Sequence, residues 1–164
     1  MAATVDSPRT DVEGLEGLAS LWQQLLQHHR AVAFYGPLVD DPELSWGRRH
    51  TWYLQIMAEG GCYLLARNSD GVPVGYAVVA ITLDDDDTFL VRNGICELVS
   101  LVVAYDHRGQ GIGTLLIEAA EGVAREHAID TLKVSVMAGN EEAQSFYEAH
   151  DYVVAEHVLY RRLA

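Results

Sequence analysis

Apolar residues recur at helical spacing early in the chain. Leu15, Leu18, Leu21, Trp22, Leu25 and Leu26 fall on one face of an amphipathic helix over residues 11–29, and Asp11 suits its cap. Phe34-Tyr35-Gly36-Pro37-Leu38-Val39-Asp40-Asp41 follows as a loop too apolar for a bare connector. Trp46, His50, Tyr53, Leu54 and Met57 then predict a second helix over 43–58. The period next changes to two. Residues 62–67 and 74–82 read as strands, with Asn68-Ser69-Asp70-Gly71 as the turn of a hairpin. The four acids at 84–87 read as a solvated connection and 94–103 as a third strand. Ile112, Leu115, Leu116, Ala119, Ala120 and Val123 predict a helix over 112–125, and 131–137 a strand. Asn140 caps a short helix whose positive end carries Glu141 and Glu142. A last strand is expected over 152–161. Helix, helix, strands, helix, strand, helix, strand predicts an α/β domain with a mixed sheet, and no linker divides 1–164.

Composition narrows the class. Hydrophobic residues make up 49% of the 164, and the mean hydropathy is +0.03, values of an ordinary globule. No apolar run approaches the roughly 18 residues of a membrane helix. Residues 1–10 lack the basic and apolar regions of a secretory signal. Cys62 and Cys96 sit in apolar strand-like runs and read as buried free thiols, and the seven histidines show no metal spacing, so no metal site is expected. A cytoplasmic protein is the expectation. The 24 acidic residues against 11 basic give a net charge of −13. That charge repels nucleic acid and anionic membranes and tolerates or attracts a cationic partner, although it also serves solubility.

The chemistry concentrates in Arg108-Gly109-Gln110-Gly111-Ile112-Gly113-Thr114, between the apolar run 98–103 and the helix 112–125. Glycines at alternate positions let backbone lie bare against a ligand. The first-turn N–H groups of the helix have no internal partners, and the dipole adds about half a positive charge there. A phosphate or pyrophosphate fits such a site; a glycine-rich turn with no ligand is the plainer alternative.

A second segment, Asn140-Glu141-Glu142-Ala143-Gln144-Ser145-Phe146-Tyr147, accompanies that loop. Together they resemble the GNAT superfamily of N-acetyltransferases, whose two signatures are Arg/Gln-x-x-Gly-x-Gly/Ala and Asn-x-x-Ala-x-x-Phe-Tyr. The resemblance covers about residues 94–154. It implies a central, mostly antiparallel sheet flanked by helices and acetyl-CoA as acyl donor. The implied donor contacts are Leu101, Val102 and Val103 through their backbone, then Arg108, Gly109, Gln110, Gly111, Ile112, Gly113, Thr114 and Asn140. Two departures stand out. Asp151 replaces the usual glycine before Tyr152, and the family's first strand is hard to see in residues 1–8.

In the family reaction an amine attacks the acetyl thioester. A lysine-like amine, with a pKa of about 10.4, must first lose a proton, at a cost of roughly 4–5 kcal/mol at pH 7. Glu97 matches the family position of a base. Set among Ile95, Leu98 and Val99, it is expected to be partly desolvated, which makes carboxylates better proton acceptors; a structural glutamate is the other reading. Tyr147 stands at the position of a general acid for the departing thiolate. The resemblance also points to Phe34, Tyr35, Asp40 and Asp41 as acceptor contacts, suited to a cationic amine, and to a possible homodimer. Two rivals remain: a non-catalytic acyl-CoA sensor of the same fold, and a dinucleotide-binding oxidoreductase using Gly109-x-Gly111 and Asp130, for which too little chain follows the loop.

Overall fold

The computed structural model describes residues 3–84 and 86–163. Of the readings above, Asp85 in the acidic connection and the first two residues lie outside the described residues. The first strand does form: β1 (Thr4–Val5) pairs antiparallel with β2 (Cys62–Arg67). β2 pairs with β3 (Pro73–Thr82) and β3 with β4 (Ile95–Val103), all antiparallel. β5 (Leu132–Val134) adds to β4 in parallel and closes the order β1-β2-β3-β4-β5. The hairpin turn is held by the Asn68 side chain, whose oxygen accepts from the N–H of Asp70 and of Val72.

The helix expected over 11–29 is two helices. α1 (Val12–Glu16) is capped by Asp11 and stops at Gly17; α2 (Ala19–Val32) follows. Gly14 and Gly17 each cost about 1 kcal/mol against alanine in a helix interior, and the break leaves Leu15 and Leu18 both fully buried. Gly14 has a further reason to be small, since a Cβ there would collide with the Tyr63 hydroxyl. α3 (Pro42–Ala58) starts where Asp41 accepts from the N–H of Glu43 at 2.9 Å and of Leu44 at 3.3 Å, with Pro42 in the first turn. α4 (Ile112–Glu126) and α5 (Glu141–Glu148) match their expected places.

Each face of the sheet has its own core. Leu116, Ile117, Ala120 and Val123 of α4 pack on Leu64, Ala77, Val79 and Leu98. Leu15, Leu18, Leu21, Tyr53 and Ile56 of α1–α3 pack on Tyr63, Leu65, Tyr76 and Val78. Cys62 and Cys96 are free and buried on the α4 side, where burial pushes the Cys62 thiol up to about 11.

β4 changes face part-way. Leu98 pairs with Val79 and Ser100 with Val78, so Val99 is an extra residue, a bulge. Before it Cys96 and Leu98 face α4; after it Val102 packs with the α1–α3 core.

The strand expected over 152–161 is absent, which corrects the sequence reading. Residues 153–163 carry no regular structure, and Leu159 is 91% exposed. The tail's contacts include the Tyr160 ring 5.1 Å from Tyr35 and a bond from Arg162 to the Gly36 carbonyl. The physical reason lies in the edge strand. β5 has three residues rather than the expected seven at 131–137, so the sheet offers the tail little ladder to join. Asp151 takes a left-handed φ of 64°, doing what glycine would do there.

Candidate active site

β4 and β5 stay together only over Cys96–Leu132, Glu97–Lys133 and Leu98–Val134. Beyond them the bulge at Val99 turns β4 while β5 ends. From Val99 to Val103 the strand is paired with β3 on one side and with no named strand on the other. Alternate residues there, Leu101 and Val103 or Val102 between them, turn N–H and C=O groups into the gap. An extended ligand with amides of its own can add to such an edge as a strand.

The chain leaves β4 through a short 3₁₀ turn, Tyr105–His107, and enters the glycine loop. Gly109 and Gly111 have φ of 70° and 79°, left-handed values that disfavour any side chain. Nothing lies within 4 Å of where their Cβ atoms would stand, so this backbone faces open space. Gly111 caps α4 without any side-chain bond, leaving the first-turn N–H groups of Ile112, Gly113 and Thr114 to a ligand or solvent. Arg108 sits beside them, its Nε donating to the Val103 carbonyl at 3.2 Å and its guanidinium 4.2 Å from the Tyr105 ring centre. Gln110 is tied to the Asp106 carbonyl at 3.2 Å.

Gly113 and Thr114 serve packing as well. A Cβ on Gly113 would stand 2.9 Å from the Phe146 ring, so packing against α5 by itself requires a small residue there. The His150 Nδ1–H donates to the Phe146 carbonyl, which leaves Nε2 to accept from the Thr114 hydroxyl at 3.0 Å.

Asn140 is buried. Its Oδ1 accepts from the Ala143 N–H at 3.2 Å, capping α5, and from His28 Nε2 at 3.3 Å. His28 escaped the sequence reading because nothing local connects it to a residue so far along the chain. The same helix reaches the loop after β4: the Tyr105 N–H donates to Gln24 Oε1 at 3.0 Å. The Val32 carbonyl stands where a Cβ on Gly139 would be. α2 is thus clamped to both sides of the gap.

Glu97 is half-buried on β4. Cys96 and Leu98 point to α4, so Glu97 between them points to the α1–α3 face. Tyr147 belongs to the α4-side core, 8% exposed, between Phe146 and Tyr152. Burial, then its Tyr152 neighbour, pushes the Tyr147 phenol well above its ordinary range and keeps it protonated. The two therefore stand on opposite faces of the sheet. In the expected acceptor loop Phe34 is 83% exposed and Asp40 exposed, while the Asp41 carboxylate is spent on capping α3. Arg30 holds the loop by donating to the Val39 and Asp40 carbonyls.

A sequence model described as the acetyltransferase (GNAT) family matches residues 22–152. This chain belongs to the GNAT acetyltransferase family. Among its relatives is an uncharacterized protein, YxbD, of Bacillus subtilis (strain 168), 30% identical over 111 residues, or 64% of this chain and 63% of that protein. The matched stretch is thus under two thirds of the relative's length. A GCN5-related N-acetyltransferase from Ralstonia eutropha JMP134 superposes with a TM-score of 0.76 at 15% identity, covering 98% of this chain and 99% of that one. An aminoglycoside N-acetyltransferase, AAC(6')-Iy, in complex with CoA gives 0.71 at 19% identity, covering 99% and 97%. These structural likenesses concern the fold.

The GNAT sheet departs from a dinucleotide-binding one. Its pairs are antiparallel except β4–β5, whereas the dinucleotide fold needs a mostly parallel sheet. Asp130, the residue that rival needed, accepts from the Arg92 N–H and the Thr131 hydroxyl. Among the described residues of this GNAT chain, no three His, Cys, Asp or Glu side chains gather as metal ligands, and no helix is long and apolar enough to cross a membrane.

Proposed function

We propose that this chain is an acetyl-CoA-dependent N-acetyltransferase, one domain over 1–164, acting on a primary amine of a small molecule, peptide or protein by direct attack in a ternary complex. One observation carries the reading. The free edge of β4 and, past one short 3₁₀ turn, a left-handed glycine loop with an uncapped helix N-terminus offer two sets of backbone groups to one ligand. Such a pair fits a ligand with amides at one end and a pyrophosphate at the other.

Acetyl-CoA supplies the reactive acetyl thioester. The β4 backbone over 99–103 aligns its amides, and an N–H of that strand polarises the thioester carbonyl. Gly109, Gly111 and the first turn of α4, with Arg108, take the pyrophosphate. Glu97 accepts the acceptor's proton, the amine nitrogen bonds to the carbonyl carbon, and the carbon–sulfur bond breaks. Tyr147 gives its proton to the leaving sulfur. A base on one face of the sheet and an acid on the other suit a thioester held in the gap between β4 and β5.

The net charge of −13 favours the approach of a cationic amine at long range. Two buried free thiols fit a reducing compartment and support a cytoplasmic setting. The exposed Val153, Leu159 and Tyr160 of the tail favour a homodimer, which light scattering reads directly; a monomer mass at micromolar concentration rejects it.

Calorimetry with acetyl-CoA and with NADH tests the reading. Saturable binding of acetyl-CoA alone is expected, and its absence overturns the assignment. Glu97→Gln should lower turnover and leave acetyl-CoA affinity intact. Unchanged turnover over pH 6–9 removes Glu97 from the mechanism.

A further inference from the structure

Where α2 meets α3 the Arg49 guanidinium lies among three aromatic rings. Its central carbon is 4.1 Å from the Trp22 ring centre, 4.8 Å from Trp52 and 5.8 Å from Tyr53. Trp22 is pinned by its own Nε1–H bond to Ser45 at 3.1 Å. Arg49 and its neighbour Arg48 line a groove of about 240 Å³ with Trp22, Val39, Ser45 and Trp52. In a chain of 24 acids and 11 bases, neither arginine meets a carboxylate or any hydrogen-bond acceptor among the described residues.

That combination is specific. Stacking covers the faces of a guanidinium and leaves its five N–H donors in the plane. A planar edge of that kind matches a carboxylate with two parallel bonds. Nothing nearby neutralises the charge: after burial, Arg49 is the largest cause that draws the His29 imidazole down to about 4. Two contacts connect the helices of this groove to the strands beside the gap between β4 and β5. Tyr53, under Arg49, donates its hydroxyl proton to Ser100 on β4 at 2.7 Å, and α2, which carries Trp22, also carries His28 against Asn140.

Resting on the reading of the site as an N-acetyltransferase, we propose that Arg49 binds a carboxylate of the acceptor, so that the substrate is an amine bearing a carboxylate, such as an amino acid or a peptide. Arg48 lends a second charge at the groove's rim. A zwitterionic acceptor reconciles an acidic protein with a basic groove.

Thiol release with saturating acetyl-CoA tests this on matched pairs: L-leucine, L-phenylalanine and leucyl-leucine against their carboxamides. The acids should exceed the amides by about ten- to a hundred-fold in kcat/KM, the loss that follows removal of a charge-assisted bond. Arg49→Gln should erase the difference by raising the acceptor KM, with kcat and the acetyl-CoA KM unchanged. Arg49→Lys keeps the charge without the fork and should restore part of it. Equal rates for acids and amides overturn the proposal, as does preference for purely cationic amines, or an effect of Arg49→Gln on the acetyl-CoA KM alone. If release is silent while acetyl-CoA binds, calorimetry of the same pairs on the CoA-loaded protein decides: acid-selective binding supports the proposal and equal or no binding overturns it. Failure of acetyl-CoA itself to bind sinks the transferase reading instead.

Discussion

Replacing Gly111 by alanine separates the conformational role of the glycine loop from its role in binding. Gly111 has φ 79° and open space around its missing Cβ, so the variant suffers backbone strain without a clash. An L-residue in that conformation costs roughly 1–2 kcal/mol. Gly71, in the β2–β3 hairpin turn and outside the glycine loop, is a matched control for backbone strain: φ 77° and the same open surroundings. Both alanine variants should lose about 1 kcal/mol, or roughly 2–4 °C of melting temperature for a chain of this size. Only Gly111→Ala places a methyl group in the proposed phosphate site. Loss of one charge-assisted bond is worth about 1.5–3 kcal/mol, so acetyl-CoA affinity should fall at least ten-fold at Gly111 and stay unchanged at Gly71. Thermal melts without ligand and calorimetry with acetyl-CoA give both numbers. Equal affinities in the two variants would refute the phosphate site, whatever happened to stability.

Three further outcomes follow from the packing. Tyr53→Phe removes the hydroxyl that bonds Ser100 at 2.7 Å and Tyr76 at 3.2 Å, leaving buried polar atoms unpaired; a loss of about 1–3 kcal/mol is expected in denaturant unfolding, and wild-type stability would reject the network's importance. Gly113→Ala drives a methyl group to 2.9 Å from Phe146 and should cost about 1–3 kcal/mol, with Phe146→Leu in the same chain recovering part; an unaffected single variant would contradict the packing. Burial, then the Arg49 charge, lowers the His29 pKa from 6.5 to about 4. The folded chain then binds fewer protons than the unfolded one below pH 6.5, so this stability is present above 6.5 and is lost as pH falls toward 4. Melting temperature should drop more steeply over that window in wild type than in His29→Gln, and parallel curves would remove His29 as a cause.

Local signals made much of this legible in the sequence. Residues 62–67, 74–82 and 94–103 were legible nearly to the residue as β2, β3 and β4, as largely apolar runs set between turns, because helices cover both faces of the sheet. The glycine loop and the Asn140 cap stand where their motifs place them, since a left-handed turn and a cap depend on neighbours in sequence. What failed depends on distant partners. Alternation in 152–161 states which side chains share a face and not whether an edge waits for them, and β5 is too short to supply one. The bulge at Val99 exists only in register with β3, yet it opens the gap on which the site depends. His28 on Asn140 and Arg49 on Trp22 are likewise contacts of the fold.

The most direct test of the central claim is acceptor-dependent release of CoA from acetyl-CoA across amino acids, peptides, polyamines and aminoglycosides, with the acceptor's mass read alongside. CoA release matched one-for-one by an acetylated amine is the expected result. Acetyl-CoA that binds but is never consumed with any acceptor would contradict it and favour an acyl-CoA sensor built on the same fold.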